Sequence, residues 1–398
     1  MKKNIKNLIL IKTQLQLIII CVFVVACAHQ KPNIKVTVNK QDNESWALTS
    51  FVKVDSINPI LGPKEDTEFL CPVRGTKVQW EGKDVFNPAA IVKDNKVYML
   101  YRAEDFIGKW KGTSRLGLAE SNDGLHFNRL ANPVFYPDND EMKEYEWEGG
   151  CEDPRIVEDE DGVYYLTYTA WDGIVARLFV ATSTDLLNWK KYGSVFKNVL
   201  DGKYVDAWSK AGSIVCKRDG DKMIATKING KYWMYFGESN IYIAYSNDLI
   251  NWTPIEREKG DVVDAFELIG HSSVVPDLLP VVKTRKGKFD SHLIEPGPPA
   301  ILTERGILLI YNSKNSGEFG DPKLAPKTYS GGQVLFDKND PSKQINRLDS
   351  NFFQPDKSYE IEGQINQVCF LEGLVHFRGK WFMYYGTADS KIAVAVKE

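Results

Sequence analysis

The chain has 398 residues, of which 43% are hydrophobic, 26% charged and 12% aromatic. Fifty Lys and Arg against 53 Asp and Glu give a formal net charge of -3. This balance lacks the basic surplus that binding to a phosphate backbone requires, so we expect no nucleic-acid partner. The composition also excludes a disordered chain, and its many Tyr, Phe and Trp residues favour a large β-rich body.

The N-terminus predicts export. Several lysines precede an apolar run from Leu17 to Ala26, which ends at Cys27. This run is about half as long as the ~20 residues of a spanning helix, and it therefore indicates a signal peptide. The residues Val24 to Cys27 resemble a bacterial lipobox, in which the cysteine is lipidated. We expect a signal peptide at 1–26, a lipidated N-terminus and tether at 27–50, and an exported bacterial lipoprotein at the outer membrane that contacts the membrane only through its lipid anchor.

The cysteines beyond Cys27 are scattered singly, at Cys71, Cys151, Cys216 and Cys369. Neither the spacing of a zinc site nor that of a redox motif is present, and four cysteines are too few for a disulfide framework. No EF-hand loop occurs either. We therefore expect buried thiols, no metal site and no cofactor.

A long-period repeat predicts the fold. Five segments begin with a polar residue or Gly and continue into a short apolar strand: 87–91, 153–157, 210–214, 297–301 and 366–370. Each is followed by a turn and an aromatic second strand: 96–105, 162–172, 231–239, 306–314 and 380–389. In three units a third strand ends in a Ser-x-Asp turn, at 121–127, 183–189 and 246–252, where we expect the Asp to cap the turn.

Five units of short antiparallel strands predict an all-β chain, a five-bladed β-propeller with a central funnel-shaped active site, over residues 51–398. The interval between the third and fourth units is the longest. It indicates an inserted loop around 262–292, and long loops of this kind often border a site.

Antiparallel pairing places the start of each first strand and the end of each second strand at the same face. The residues expected on this rim include several carboxylates, two arginines and aromatic side chains, which suit a polyhydroxyl ligand. The candidates are Asn87, Arg102, Glu104, Asp105, Glu152, Asp153, Arg155, Asp172, Lys210, Glu238, Ser239, Glu295, Asn312, Asn366, Tyr385 and Asp389. Two such carboxylates across a sugar are sufficient for hydrolysis, one as the acid and one as the base that activates water.

Several segments resemble glycoside hydrolase family 130, the β-mannoside phosphorylases and β-mannosidases, over roughly residues 60–398. The most specific segment is Gly-Gly-Cys-Glu-Asp-Pro-Arg-Ile at 149–156; the others are Asn-Pro-Ala-Ala at 87–90 with Tyr-Arg at 101–102, Lys-Ile-Asn-Gly-Lys-Tyr at 227–232, Gly-Pro-Pro at 297–299 and Tyr-Tyr-Gly-Thr-Ala-Asp at 384–389. The resemblance implies a five-bladed propeller and inverting attack at the anomeric carbon of a β-linked mannose.

The resemblance also implies roles for individual residues. Asp153 matches the acid, which in the phosphorylases is thought to pass its proton through the 3-hydroxyl of the mannose. Asn87, Arg102, Arg155 and Asp389 match positions that hold the sugar. We add Lys210 and Tyr385 as substrate-binding candidates because of their predicted place on the rim.

The chain departs from the phosphorylase pattern after the strand at 231–236. The phosphorylases usually continue into a His-Arg pair that binds phosphate, whereas this chain has Glu238, and Glu295 stands just before Gly297. Carboxylates at a phosphate site are electrostatically unfavourable. The pair resembles the hydrolytic β-1,2-mannosidase branch, in which two Glu residues are proposed to activate water. Lys210 and Lys227 remain as possible phosphate ligands.

The sequence therefore predicts an inverting, exo-acting β-mannosidase that hydrolyses β-1,2-linked mannosides in mannose-containing oligosaccharides, with Asp153 as the acid and Glu238 and Glu295 on the base side. One alternative is a β-1,4-mannoside phosphorylase that releases mannose 1-phosphate. Another is a non-catalytic glycan-binding lipoprotein on the same scaffold. An arabinan- or fructan-cleaving propeller is disfavoured because the family segments occur together.

Overall fold

The structure, a computed structural model, describes residues 46–261, 263 and 273–398. The predicted signal peptide, Cys27 and most of the tether lie outside the described residues, as does much of the predicted loop at 262–292. The prediction of an all-β chain is confirmed. The described residues contain two short α-helices, α1 (Lys143–Glu146) and α2 (Ser358–Ile361), and one 3₁₀ turn at Leu200–Gly202. None of the helices in these residues is long and apolar enough to span a membrane.

The strands form antiparallel units that correspond to the sequence repeats. Before the first unit come β1 (Val52–Lys53) and a small hairpin of β2 (Phe69–Cys71) and β3 (Thr76–Val78). The first unit is β4 (Asp84–Lys93), β5 (Lys96–Glu104), β6 (Ser114–Ser121) and β7 (Asn128–Arg129). The second is β8 (Gly150–Glu158), β9 (Tyr164–Trp171), β10 (Ala176–Ser183) and β11 (Lys190–Ser194).

The third unit is more elaborate than the repeat predicted. Its first strand, β12 (Ser213–Ile214), is followed by an extra hairpin of β13 (Cys216–Asp219) and β14 (Lys222–Ala225). This hairpin pairs in parallel with the neighbouring units, Ile224 with Glu158 and Cys216 with Ile301. The unit continues with β15 (Tyr232–Phe236), β16 (Ile241–Ser246) and β17 (Trp252–Pro254), and β18 (Pro280–Val282) also pairs with β16.

The last two units complete the sheets. In the fourth, β19 (Leu293–Pro296) and β20 (Ile301–Thr303) both pair with β21 (Gly306–Lys314), which is followed by β22 (Tyr329–Phe336) and β23 (Gln344–Arg347). The fifth is β24 (Cys369–Phe377), β25 (Lys380–Thr387) and β26 (Lys391–Lys397). The early strand β1 pairs with β26, so the two ends of the described body are joined in one sheet.

The inner strands of the units contact one another. Strand β4 lies against β8 and β24, and β14 lies against β4, β8 and β24. Buried apolar and aromatic side chains, including Trp80, Tyr168 and Trp252, fill the space between neighbouring sheets. The units therefore share a common centre, and a five-bladed propeller remains our interpretation of them.

Candidate active site

β-Bulges distort three of the inner strands where they reach the common centre. The pairing register shifts at Asn87 in β4, at Asp153 in β8 and at Glu372 in β24. Asn87 and Asp153 both have a φ of 47°, a left-handed backbone that Asn and Asp tolerate better than most residues. Because a bulge redirects a side chain out of the strand alternation, these residues can join one cluster.

Asp153 is the most heavily contacted carboxylate of this cluster. Its Oδ1 accepts hydrogen bonds from Asn87 Nδ2 at 2.9 Å and from Arg102 Nη1 at 3.0 Å. Its Oδ2 lies 3.3 Å from Lys210 Nζ. Burial alone would raise the pKa of Asp153, but the positive charges of Lys210 and Arg102 outweigh it and hold the pKa well below its usual range.

Arg102 connects Asp153 to two further acids. Its Nη2 donates to Glu104 Oε1 and to Glu152 Oε1, each at 2.7 Å. Its guanidinium also lies 4.6 Å from the ring centroid of Phe86, which fixes the plane of the group. The structure therefore brings the predicted residues Asn87, Arg102 and Asp153 together.

Lys210 lies between the predicted acid and the predicted base. Its Nζ is 3.3 Å from Asp153 Oδ2 and 3.5 Å from Glu295 Oε1. Burial alone would lower the pKa of Lys210, but the charges of Glu295, Glu238 and Asp153 raise it well above its usual value. Lys210 is therefore a buried cation that holds opposing carboxylates close to each other.

Glu295 has the opposite electrostatic character to Asp153. Its Oε1 is buried and has no hydrogen-bond partner among the described residues. Burial raises the pKa of Glu295 to about 7 against the attraction of Lys210, and the charge of Glu238 adds to the rise. Two carboxyl groups around one lysine thus have pKa values shifted in opposite directions, with the lower pKa on the predicted acid and the higher pKa on the predicted base.

Glu238 occupies the more open side of the cluster. Its Oε2 accepts a hydrogen bond of 2.8 Å from Trp208 Nε1, and the ring of Trp208 packs edge-on against Trp171 at 5.8 Å. Both indoles are half-buried. The neighbouring residue Ser239 lies with its Oγ 2.6 Å from Ser273 Oγ, so the described end of the long loop lies beside Glu238. The sequence interpretation missed Trp208, although it stands only two residues before Lys210.

Arg155, which the resemblance predicts to hold the sugar, is enclosed by groups from three units of the fold. It is only 1% exposed, and its side chain donates to the backbone oxygens of Asp153, Pro296 and Gly297. Its Nη2 is also 2.9 Å from Glu372 Oε1. With its donors directed to these groups, Arg155 links the second, fourth and fifth units and positions the carboxylates.

Glu372 is a further acid that the sequence interpretation missed. Its buried Oε1 forms the ion pair with Arg155 without the alignment of a hydrogen bond, and its buried Oε2 has no hydrogen-bond partner among the described residues. Burial raises the pKa of Glu372 well above its usual value, against the attraction of Arg155. Asn312 fixes the preceding backbone, since its amide donates to Leu371 O at 3.0 Å and accepts from Leu371 N at 2.7 Å. Asn87 and Asp153 are each followed by a Pro, which marks their bulges in the sequence, whereas Glu372 is followed by Gly373. The bulge at Glu372 is therefore visible only in the pairing register of β24 and β25.

Three other predicted residues have different outcomes. Asp389 lies near Arg102 and Asp153, and burial raises its pKa to about 7 against the charge of Arg102. Tyr385 is wrong as a substrate ligand: it is fully buried in the core against Phe353, and its hydroxyl donates to Glu360 at 2.8 Å. Lys227, predicted as a possible phosphate ligand, lies instead over the ring of Tyr232, beyond the other end of the inner strands.

Two rim candidates are also structural. Asp105 forms a buried ion pair with Arg115 at 2.8 Å. Asp172 pairs with Arg177 and accepts hydrogen bonds from the backbone of its own turn. The position of these residues at strand ends places them on the predicted rim. Their ion pairs with Arg115 and Arg177 make them unavailable to a ligand.

Cleavage of a glycosidic bond commonly uses two carboxyl groups, and the centre of this fold holds several carboxyl groups around one lysine. The fold and the site together define the class of carbohydrate-active enzymes. Residues 71–398 match the glycoside hydrolase family 130 profile, which is described as β-1,4-mannooligosaccharide phosphorylase. The chain belongs to this family.

Individual relatives agree with this assignment. The chain is 33% identical over 352 residues to a 1,2-β-oligomannan phosphorylase of Thermoanaerobacter sp. (strain X514), with 86% of this chain and 96% of the relative covered. It is 46% identical to a solved glycosyl hydrolase from Bacteroides ovatus, with 89% and 95% covered and a TM-score of 0.82. A second structure, 45% identical with 89% and 95% covered and a TM-score of 0.83, is described by the statement that this family of mannoside phosphorylases contains glycoside hydrolases that target β-1,2 mannosidic linkages in Candida mannan.

Proposed function

We propose that this enzyme is an inverting, exo-acting β-mannosidase that hydrolyses β-1,2-linked mannosides. The observation that supports the proposal is the contact of Lys210 with both Asp153 and Glu295, together with the charge of Glu238 near the same lysine. An attacking phosphate would have to approach these carboxylates, and like charges in a buried site repel strongly. Water is neutral, and a carboxylate can activate it by accepting its proton.

Inversion is proposed from the family resemblance. Because one ammonium group contacts both Asp153 and Glu295, the nearer oxygens of these carboxylates are at most about 7 Å apart, a limit that retaining and inverting glycosidases both satisfy. We assign Glu295 and Glu238 to the base side and Asp153 to the acid side.

The low pKa of Asp153 requires an explanation, because an acid must carry a proton. The ion pair with Lys210 and the hydrogen bond from Arg102 keep Asp153 ionised in the free enzyme. A sugar hydroxyl that enters between Asp153 and Lys210 would weaken this attraction and raise the pKa. Glu152, whose pKa is raised by burial against the charge of Arg102, is the adjacent group from which the cluster could supply the proton.

The linkage is proposed from the relatives. The description of the 45% identical structure mentions hydrolases that target β-1,2 mannosidic linkages. The relative at 33% identity is named a 1,2-β-oligomannan phosphorylase. Both descriptions favour β-1,2 bonds. One description names hydrolases, in which water attacks, and the other names a phosphorylase, in which phosphate attacks. The carboxylates beside Lys210 favour water as the attacking group in this chain.

Phosphorolysis is the second candidate because curated relatives are named as phosphorylases. Lys210 is one cation in this cluster that could contact phosphate, but it already lies between Asp153 and Glu295. The displacement of Lys227 from the site weakens this candidate further.

Product analysis separates the two reactions. The purified enzyme would be given β-1,2- and β-1,4-mannobiose and longer oligomers, with and without inorganic phosphate. We expect free mannose from the β-1,2 substrates at a rate independent of phosphate, released one residue at a time. Mannose 1-phosphate that forms only when phosphate is present would overturn the proposal, and binding without any product would favour the glycan-binding alternative.

We also propose that the enzyme is an exported lipoprotein anchored through Cys27. The apolar run and the lipobox-like residues before Cys27 support this proposal. Incorporation of labelled palmitate into the wild type but not into Cys27→Ala is the expected result, and equal labelling of both would contradict it.

A further inference from the structure

A cleft in the described part of the chain, away from the acid cluster, lies at the opposite ends of the inner strands. It has a volume of about 740 Å³, within the usual range for ligand sites. It is bordered by the β13–β14 and β20–β21 hairpins and by the start of β25. Along β24, Glu372 is five residues from Phe377 at the hairpin, a separation of roughly 17 Å. The cleft is therefore distinct from the proposed active site.

The charge of this cleft contrasts with that of the whole chain. Lys217, Arg218, Lys227 and Lys338 line it, against one acid, Glu304. Lys217 pairs with Glu160 at 3.2 Å. The other three cations have no carboxylate within 4 Å in the part of the chain that the structure describes. On a protein with net charge -3, such a local excess of unpaired cations favours an anion. We define this surface as the basic cleft.

The remaining lining indicates more than a bare anion. The half-buried indole of Trp381 lies along the cleft, and its Nε1 has no hydrogen-bond partner among the described residues. Arg218 lies over this ring at 5.9 Å, and the exposed Asn229, whose Nδ2 donates to Asn339 O at 2.8 Å, adds its amide oxygen as an acceptor. Aromatic rings pack against the C–H face of sugars, while amides and indole N–H groups bind hydroxyls. A single phosphate would leave most of the cleft empty.

We infer that the basic cleft is a second saccharide-binding site, specific for an acidic oligosaccharide whose rings carry carboxylate or phosphate groups. Trp381 supplies the stacking surface, and Arg218, Lys227 and Lys338 pair with the acidic groups. Arg218 provides a planar fork that matches a carboxylate or phosphate. The site would hold the enzyme on an acidic glycan while the acid cluster works at the other end of the strands, and it is independent of whether water or phosphate attacks.

Calorimetric titration of the whole protein tests this inference. The probes are trigalacturonate, mannose 6-phosphate, neutral mannotriose, inorganic phosphate, and phosphatidylcholine vesicles with and without phosphatidylglycerol. We expect trigalacturonate or mannose 6-phosphate to bind more tightly than mannotriose and inorganic phosphate, with an affinity that falls as salt is added. The two acidic probes distinguish carboxylate from phosphate as the recognised group.

Matched variants localise the binding. Arg218→Gln combined with Lys338→Gln should weaken binding of the acidic probe at least about tenfold, and Trp381→Phe should weaken it less. The control, Lys197→Gln with Lys286→Gln, removes the same charge from exposed positions elsewhere and should bind as the wild type does. Turnover of mannobiose should be unchanged in all of these variants.

Several outcomes would overturn the inference. They are equal weakening in the control, no binding of either acidic probe, inorganic phosphate binding as tightly as the saccharides, or competition of the acidic probe with mannobiose at the active site. Binding to anionic vesicles without binding to acidic saccharides would identify the cleft as a membrane contact instead.

Discussion

Carboxylates in two regions of this molecule show opposite behaviour. In the outer turns, Asp185 accepts backbone hydrogen bonds from Leu187 and Asn188 at 2.8 and 2.7 Å. The same arrangement recurs at Asp123 and Asp248. Hydrogen bonds from the turn hold the pKa of Asp185 well below its usual range, and they do the same for Asp123 and Asp248 against the effect of burial.

At the centre, burial instead dominates at three carboxyl groups, although not at Asp153. It raises the pKa of Glu295 and of Asp389 to about 7, and that of Glu372 well above its usual value. Glu295 Oε1 and Glu372 Oε2 lack hydrogen-bond partners among the described residues. The outer carboxylates are locally satisfied and stabilise turns. The central ones are held in an unfavourable environment by the surrounding fold, which is typical of groups that carry out chemistry.

The largest expected effect comes from removing the charges of the central acids. Glu295→Gln, Glu238→Gln and Asp153→Asn should each lower kcat/KM on the confirmed substrate by roughly 10²–10⁴, because each removes acid–base work. Circular dichroism and thermal unfolding should show a folded protein. Asp185→Asn is the matched control in the outer turns and should keep wild-type turnover. Wild-type turnover in both Glu variants would contradict the assignment.

The pH profile sharpens this prediction. A base must be ionised, and the pKa of Glu295 is about 7, so kcat/KM should fall as the pH drops below about 7. Glu295→Gln should lose this limb from its residual activity. A limb that persists unchanged in the variant would assign the titration to another group.

An intermediate effect is expected from Glu372→Gln, measured as the free energy of unfolding. The folded-state pKa of Glu372 is raised, so its carboxyl destabilises the folded protein above its ordinary pKa and has little effect below it. The variant should be more stable than the wild type by roughly 1–3 kcal/mol at pH 8, with the difference shrinking toward pH 4. Glu304→Gln, at an exposed position, should change nothing. Lower stability of Glu372→Gln at every pH would mean that its charge is needed by Arg155.

The smallest effect is expected in the outer turns. Asp185→Ala removes the acceptor for Leu187 N and Asn188 N and should lower the free energy of unfolding by about 1 kcal/mol, since the turn is exposed and water can replace part of the loss. The pKa of Asp185 is lowered, so this contribution is present above its ordinary pKa and disappears as the pH falls through the folded-state value. Denaturant titration measures the loss, and kcat should stay the same. A larger loss in activity than in stability would contradict the purely structural role.

Much of the site followed from the repeat and its antiparallel pairing. Asn87 and Asp153 were predicted because each stands at the start of an inner strand, and antiparallel pairing places these starts on one rim. Arg102 followed from its place at the end of the second strand. Glu372 was missed because its bulge lies inside β24, where the pattern of residues shows no interruption. Tyr385 was misplaced because alternation along β25 turns its ring into the core.

Local alternation and hydrogen bonds between residues close in the chain are sufficient to predict the β-rich repeat, the Ser-x-Asp turns and several of the acids near the centre, although not Glu372. The tertiary structure decided which acids face one another, that Lys210 lies between Asp153 and Glu295, and that Arg155 supports the site from behind. It also separated Lys227 from Lys210 by placing them at opposite ends of the inner strands. Such distinctions depend on burial and on charges brought together from distant parts of the chain, and the spacing of residues along a sequence does not encode these directly.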